Sequence, residues 1–101
     1  MIEVRECEAF AQWLTELRDR RAVARIAVRI ERMRSGNLGQ VEAIGEGVSE
    51  AKIDYGPGYR LYFKRRGREV VILLCGGDKS TQDADIRRAK QLALTIEDSH
   101  G

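Results

Sequence analysis

The feature that most constrains this chain is a pair of alternating segments that meet at Gly56-Pro57-Gly58. Proline fixes φ and glycine permits positive φ, so this tripeptide predicts a tight turn between two antiparallel strands. Apolar and charged residues alternate on both sides of the turn, which indicates a hairpin with one apolar face and one charged face. The charged face carries Lys52, Asp54, Arg60, Tyr62 and Lys64.

A three-residue loop over 56–58 brings every apolar residue of the hairpin onto one face. In that register Asp54 lies opposite Arg60 and Lys52 lies opposite Tyr62. A shift of one residue would mix apolar and charged side chains on both faces. We therefore expect Asp54 and Arg60 to be cross-strand neighbours. We also expect the charged face, with an exposed Tyr62, to hold the functional residues.

The other segments predict one α+β domain over residues 1–101, in the order β-α-α-β-β-β-β-α. The expected sheet is antiparallel, with the two N-terminal helices on one face, and a C-terminal helix follows it. Ser80 and Asp83 read as a capping box for that last helix. Besides the hairpin, the predicted strands are 2–6, 40–44 and 68–75, and the predicted helices are about 7–19, 21–35 and 81–97. The nearly all-apolar run Val70–Leu74 predicts a central strand buried on both faces. The last helix carries Ile86, Ala89 and Ala93 at helical spacing.

Composition and charge narrow the class of protein. Hydrophobic residues make up 43% of the chain and charged residues 34%, which is typical of a globular domain. No apolar run approaches the roughly 20 residues that cross a membrane, since the longest, Val70 to Cys75, has strand length. The acidic N-terminus has no signal-peptide pattern. These features predict a cytoplasmic protein without a membrane span.

Metal and thiol chemistry are not expected. Cys7, Cys75 and His100 do not have the spacing of a zinc site or of a disulfide framework, so we expect no metal, no cofactor and reduced interior thiols. The segment from Gly76 to Thr81 follows a strand and precedes a helix. It lacks the glycine before the lysine that a nucleotide triphosphate loop needs.

Two basic clusters remain as candidate sites. Lys52, Arg60 and Lys79 could converge on the charged sheet face, where three cations can hold a phosphate and stabilise developing negative charge. The alternative is a solvated face in which Arg60 pairs with Asp54. Seven arginines between Arg18 and Arg34 could grip RNA, or could form an ordinary amphipathic surface.

Three segments carry a family resemblance. They are Gly47 to Ile53, Gly56 to Phe63, and Leu73 to Gln82 followed by Asp85, Ile86 and Ala89. In this order and spacing they resemble the HigB-like addiction module killer proteins of the RelE/ParE toxin superfamily. The resemblance implies the toxin of a type II toxin–antitoxin system. It implies a metal-independent endoribonuclease that cuts mRNA at the ribosome, through attack of a 2′-hydroxyl on the adjacent phosphate. The implied partner is a helix-turn-helix antitoxin, and a toxin–antitoxin heterotetramer is one assembly that the resemblance allows.

The resemblance also assigns residues. It places catalytic basic positions on Lys52, Arg60 and Lys79, and the neighbouring Glu50, Asp54, Tyr62 and Lys64 are expected to bind substrate. The C-terminal tyrosine or histidine of better-known relatives has no counterpart here, so a lysine, Glu50 or Asp54 would have to move the proton. Two alternatives stay open: a non-enzymatic inhibitor of DNA gyrase of the ParE kind, and an inactive toxin retained to bind antitoxin and regulate its operon.

Overall fold

The computed structural model describes residues 1–98, in which five strands and three α-helices form an α+β fold. The predicted fold class is confirmed. A 3-10 helix, Lys79–Thr81, leads into the last α-helix and was not expected. The elements are β1 (Glu3–Glu6), α1 (Glu8–Glu16), α2 (Arg20–Arg34), β2 (Val41–Gly45), β3 (Val48–Ile53), β4 (Tyr59–Arg66), β5 (Val70–Gly77) and α3 (Gln82–Asp98).

The five strands form one mixed sheet in the order β1-β5-β4-β3-β2. Strands β2 to β5 pair as an antiparallel meander, whereas β1 joins the edge parallel to β5, with Glu3 opposite Val70. The prediction of an antiparallel sheet is therefore wrong for β1. Parallel neighbours need a long connection, and here the whole segment between β1 and β5 supplies it. The alternation of 2–6 predicts a strand but says nothing about its partner.

Both faces of the sheet are covered, each by its own apolar cluster. On one face, α1 and α2 bury Phe10, Ile26 and Met33 against Leu61 and Phe63. On the other face, α3 packs on the sheet through a second cluster of small and apolar residues. That cluster includes Val48, Tyr62, Ile72, Leu74, Ala89 and Ala93. Strand β5 lies between the two clusters, as its nearly continuous apolar run predicted.

Asp19 separates α1 from α2. Its carboxylate accepts hydrogen bonds from the backbone N–H of Arg21 and of Ala22, at 2.9 and 3.2 Å, and so caps α2. The Tyr55 hydroxyl donates to the same carboxylate at 2.9 Å. The segment 8–34 therefore forms two separate helices, and α2 has its own N-cap. The cap also ties their junction to the loop between β3 and β4.

This tie predicts a pH-dependent effect of Tyr55→Phe. The Tyr55 hydroxyl holds the pKa of Asp19 below its usual range, and the backbone N–H bonds of the cap add to this. A lowered folded-state pKa stabilises the fold above the unfolded pKa of about 3.9, and the contribution is lost as pH falls through the folded pKa. We expect Tyr55→Phe to raise the pKa of Asp19. It should also reduce stability at pH 7 more than at pH 2.

Carboxyl-carbon NMR titration and urea unfolding at the two pH values would measure both effects. Tyr59→Phe is the matched control, because Tyr59 stacks on Tyr55 but makes no hydrogen bond to Asp19. An unchanged Asp19 pKa in Tyr55→Phe would contradict the account of the cap.

Candidate functional site

The centre of the charged sheet face is an ion pair between Glu50 in β3 and Arg60 in β4. Arg60 Nε lies 3.6 Å from Glu50 Oε2, and each side chain is only 7% exposed. Gln82, the first residue of α3, donates from Nε2 to the same carboxylate oxygen at 2.9 Å. Arg60 Nη1 donates to the backbone carbonyl of Gly58 at 2.7 Å. The guanidinium is therefore fixed between the hairpin loop and a buried carboxylate.

The register of β3 and β4 decides these partners. Lys52 lies opposite Arg60, and Glu50 lies opposite Tyr62. The expected register is wrong by two residues, which keeps each side chain on its predicted face but changes its neighbours. Asp54 is consequently not opposite Arg60. Glu50 reaches the arginine diagonally across the two strands instead.

The loop explains the shift. It covers five residues, 54–58, where a three-residue turn was expected. Two backbone hydrogen bonds fold it: Tyr55 N–H donates to the carbonyl of Ile53 at 2.9 Å, and Gly58 N–H donates to the carbonyl of Tyr55 at 3.1 Å. Tyr55 leaves the strand because its hydroxyl bonds Asp19 and its ring lies 4.7 Å from the Arg25 guanidinium carbon.

Two lysines lie beside the strand end that carries Arg60. Lys52 is exposed and is the cross-strand partner of Arg60. Lys79 is also exposed and begins the 3-10 helix, where its backbone N–H donates to the carbonyl of Pro57 at 3.4 Å. Its Cβ stands 3.7 Å from the place that a Cβ on Gly58 would occupy. The three predicted catalytic cations thus lie around one end of the hairpin.

Tyr62 is on the expected face but is fully buried beneath α3. Its hydroxyl has no partner at hydrogen-bonding geometry among the side chains that are described, those of residues 1–96. Burial, followed by the negative charge of Glu50, raises the pKa of Tyr62. The phenol is therefore protonated at neutral pH. The prediction that Tyr62 is exposed is wrong, because the charged face is not open and α3 covers its centre.

Asp54 and Lys64 lie apart from this cluster. Asp54 is exposed and lines a groove beside α2, together with Arg21 and Arg25. Lys64 is half-buried at the other end of β4, opposite Val48. Lys64 is four positions from Arg60 in the sequence, which is about 13 Å along an extended strand. The structure therefore groups Glu50, Lys52, Arg60 and Lys79, and leaves the other two charged candidates at a distance.

Asp85 is a second carboxylate at this strand end, and it was not among the predicted site residues. Gly77 is opposite Arg60 in β5, and a Cβ on Gly77 would fall 1.8 Å from Asp85 Oδ2. Thr81 Oγ1 donates to the same oxygen at 2.5 Å. Glycine at 77 makes room for the carboxylate, and a glycine within a strand is a signal of such a close approach. By contrast, nothing local indicates Gln82, which lies 32 residues from Glu50.

The turn into α3 is built by Asp78. Its Oδ1 accepts hydrogen bonds from the backbone N–H and the hydroxyl of Ser80, at 2.8 and 2.5 Å. Ser80 lies inside the 3-10 helix, so the expected capping box at Ser80 and Asp83 is wrong. Asp78 places Lys79 beside the loop and Gln82 above Glu50.

The two cysteines of the chain are both within the described residues. Cys7 and Cys75 are free, and burial raises the pKa of both, for Cys75 to about 12. Both thiols are therefore protonated at neutral pH. No group of three His, Cys, Asp or Glu side chains in residues 1–96 could hold a metal, and none of the described helices combines the length and apolar character of a membrane span. His100 lies outside the described residues.

The fold and site define a small α+β protein with a buried ion pair and two flanking lysines at one end of its sheet. No model of a known protein family matches the chain. It is 48% identical over 95 residues to an uncharacterized protein of Haemophilus influenzae, in an alignment that covers 94% of this chain and 96% of that protein. The chain belongs to the same family as this Haemophilus protein.

The buried pair predicts that Glu50→Ala is strongly destabilising. The variant leaves the Arg60 guanidinium buried without its carboxylate, and removing one partner of a buried pair costs about 3 to 5 kcal/mol. Urea unfolding would measure the loss. Glu42→Ala is the matched control, because Glu42 lies directly opposite Glu50 in β2 but is exposed. It should change the free energy of unfolding by less than about 0.5 kcal/mol. Equal losses in the two variants would contradict the buried-pair account.

Proposed function

We propose that this protein is the toxin of a type II toxin–antitoxin system and acts as a metal-independent, ribosome-associated endoribonuclease on mRNA. Its three motif segments support this through their resemblance to the HigB-like, RelE/ParE toxins, and the proposal extends to the RelE/ParE-like arrangement of the fold. The observation that carries the chemistry is the grouping of Arg60, Lys52 and Lys79 around the hairpin end. Cations so placed can stabilise the charge that develops on a reacting phosphate.

The proposed reaction is an internal transfer within RNA. The 2′-oxygen attacks the adjacent phosphorus, the bond from phosphorus to the 5′-oxygen breaks, and the products carry a 2′,3′-cyclic phosphate and a 5′-hydroxyl. Negative charge builds on the non-bridging oxygens in the transition state. Lys52 and Lys79 are exposed and can contact these oxygens directly. Arg60 adds a planar donor fork that suits a phosphate.

Two proton transfers complete the proposal. The 2′-hydroxyl must lose a proton. The acceptor in this proposal is Glu50, because it is the carboxylate nearest to Arg60, whereas Asp54 faces the groove beside α2. The leaving 5′-oxygen must gain a proton, which Lys52 or Lys79 can donate. Since Arg60 and Glu50 are both nearly buried, a phosphate has to approach from the lysine side and exchange with part of the ion pair.

The partners follow from the same proposal. A helix-turn-helix antitoxin would neutralise the toxin, with a heterotetramer as one assembly that this pairing allows, and the ribosome would present the mRNA in the cytoplasm.

The lysines give the most direct test of function, because their exposure means that substitution preserves the fold. We expect Lys52→Gln and Lys79→Gln each to reduce RNA cleavage at least about tenfold, since each removes one charge that stabilises the transition state. Induced expression, growth curves and sequencing of transcript 5′ ends would measure the effect. Lys90→Gln is the matched control, because Lys90 lies on α3 near Gly45, at the far end of the sheet face. Uncut transcripts during growth arrest would contradict the nuclease proposal.

One observation favours a second candidate, a non-enzymatic gyrase inhibitor of the ParE kind. Arg60 is bound by Glu50 and Gly58 and is only 6% exposed, as expected of a structural arginine. Expression would then produce gyrase–DNA complexes and a DNA damage response. Lys52→Gln would leave the arrest unchanged unless Lys52 contacts gyrase.

A further inference from the structure

A groove lies on the face of the sheet opposite Arg60, between α2 and the end of β3. Its volume is about 680 Å³. Arg29 stabilises its base, because its guanidinium donates to the backbone carbonyls of Leu38, Gln40 and Lys52 at 3.1, 2.7 and 2.9 Å. These bonds connect α2 to the backbone of the loop before β2 and of β3, and they hold the two sides of the groove in a fixed relation.

The floor of the groove is apolar although it faces solvent. Ala24 and Val28 of α2 and Ile53 of β3 are its apolar lining residues. Val28 is 51% exposed and is one of few large apolar side chains that the described residues expose. A neighbouring groove of about 420 Å³ continues the floor through Ala27 and Val28. Positions 24, 27 and 28 have i, i+3, i+4 spacing, so they form one stripe on the outer face of α2.

The rim of the groove is cationic. Arg21, Arg25 and Arg32 line it, and none of them forms an ion pair with a carboxylate among the side chains of residues 1–96. Asp54 is the one acidic residue among those that line this groove. Arg21 and Arg32 are about 16 Å apart along the helix axis, which is about three helical turns. The surface thus combines an apolar stripe with three arginines whose charge no described carboxylate neutralises at ion-pair distance, one of which, Arg25, lies over the Tyr55 ring.

We propose that this groove docks an amphipathic helix of a partner protein, with apolar residues against Ala24 and Val28 and with acidic residues against the arginines. Helix-in-groove recognition uses this combination of apolar anchors and complementary charge. A nucleic acid backbone would match the arginines but would leave Val28 and the alanines without apolar contacts. If the proposed function is correct, this partner is the antitoxin. Only the identity of the partner depends on the proposed function, whereas the docking surface does not. The partner then binds without covering Arg60, because α2 and Arg60 lie on opposite faces of the sheet.

A synthetic peptide probes the surface directly. The probe is an acidic amphipathic helix of about 16 residues, with leucines on one face and glutamates on its flanks. We expect its binding to shift amide NMR signals of residues 21–32 and to leave those of Lys79 and Gln82 unchanged. Val28→Ser should weaken binding about tenfold, as the loss of a buried valine predicts. Arg32→Gln should weaken it about two- to fivefold.

Matched controls separate docking from general attraction. Val41→Ser removes an exposed valine from β2, and Arg68→Gln removes an exposed arginine from the turn between β4 and β5 that lines neither groove. Both should leave peptide affinity within about twofold. Equal binding of a scrambled peptide of the same charge would overturn the proposal. So would tighter binding of a short RNA duplex that depends on the arginines but not on Val28. Neither result depends on RNA cleavage, so the docking proposal and the nuclease proposal can fail separately.

Discussion

The ion pair between Glu50 and Arg60 is the interaction on which the arrangement of this protein depends. Both side chains are nearly removed from water, so each charge needs the other and needs its hydrogen bonds. Gln82 donates to the carboxylate from α3, and the Gly58 carbonyl accepts from Arg60 Nη1, whereas Arg60 Nε is buried and, among the described residues, is held by the ion pair alone. The pair therefore joins three segments that are far apart in the chain. It contacts the first residue of α3 through Gln82 and the end of the hairpin loop through Gly58.

The sheet separates two kinds of surface. On one face, α3 buries Tyr62 and leaves a charged end where Lys52 and Lys79 remain exposed. On the other face, α1 and α2 bury the larger apolar cluster, and the outer side of α2 carries arginines and an apolar stripe. The RNA cleavage that we propose belongs to the first surface, and the helix docking that we propose belongs to the second. A partner bound to the second surface could affect Arg60 through the loop 54–58. Asp54, at one end of this loop, lines the groove, and Gly58, at the other end, accepts a hydrogen bond from Arg60.

Local patterns predicted the elements well and their neighbours poorly. Alternation placed each hairpin side chain on its correct face, because a two-residue error in register preserves the faces. The partners were wrong, because the loop length depends on Tyr55, which distant Asp19 and Arg25 draw out of the strand. The parallel position of β1 and the contact from Gln82 to Glu50 are also long-range, and no local signal specifies them.

One prediction already contained the information that corrects another. The apolar run Val70–Leu74 indicated a strand buried on both faces, and the last helix showed an apolar stripe at Ile86, Ala89 and Ala93. Together these features require that α3 cover the second face. The expectation of an open charged face with an exposed Tyr62 was therefore inconsistent with the buried strand beside it.

The central claim is that Arg60, although paired with Glu50, is the group that receives the RNA phosphate. NMR observation of the Arg60 Nε–H signal tests it, during titration with a short RNA whose 2′-oxygens are methylated so that it cannot be cleaved. The account predicts a saturable shift of this signal together with the carboxyl carbon of Glu50, because phosphate binding must rearrange the pair. Saturable RNA binding that leaves both signals unchanged would show that the pair is only structural, and it would contradict the account.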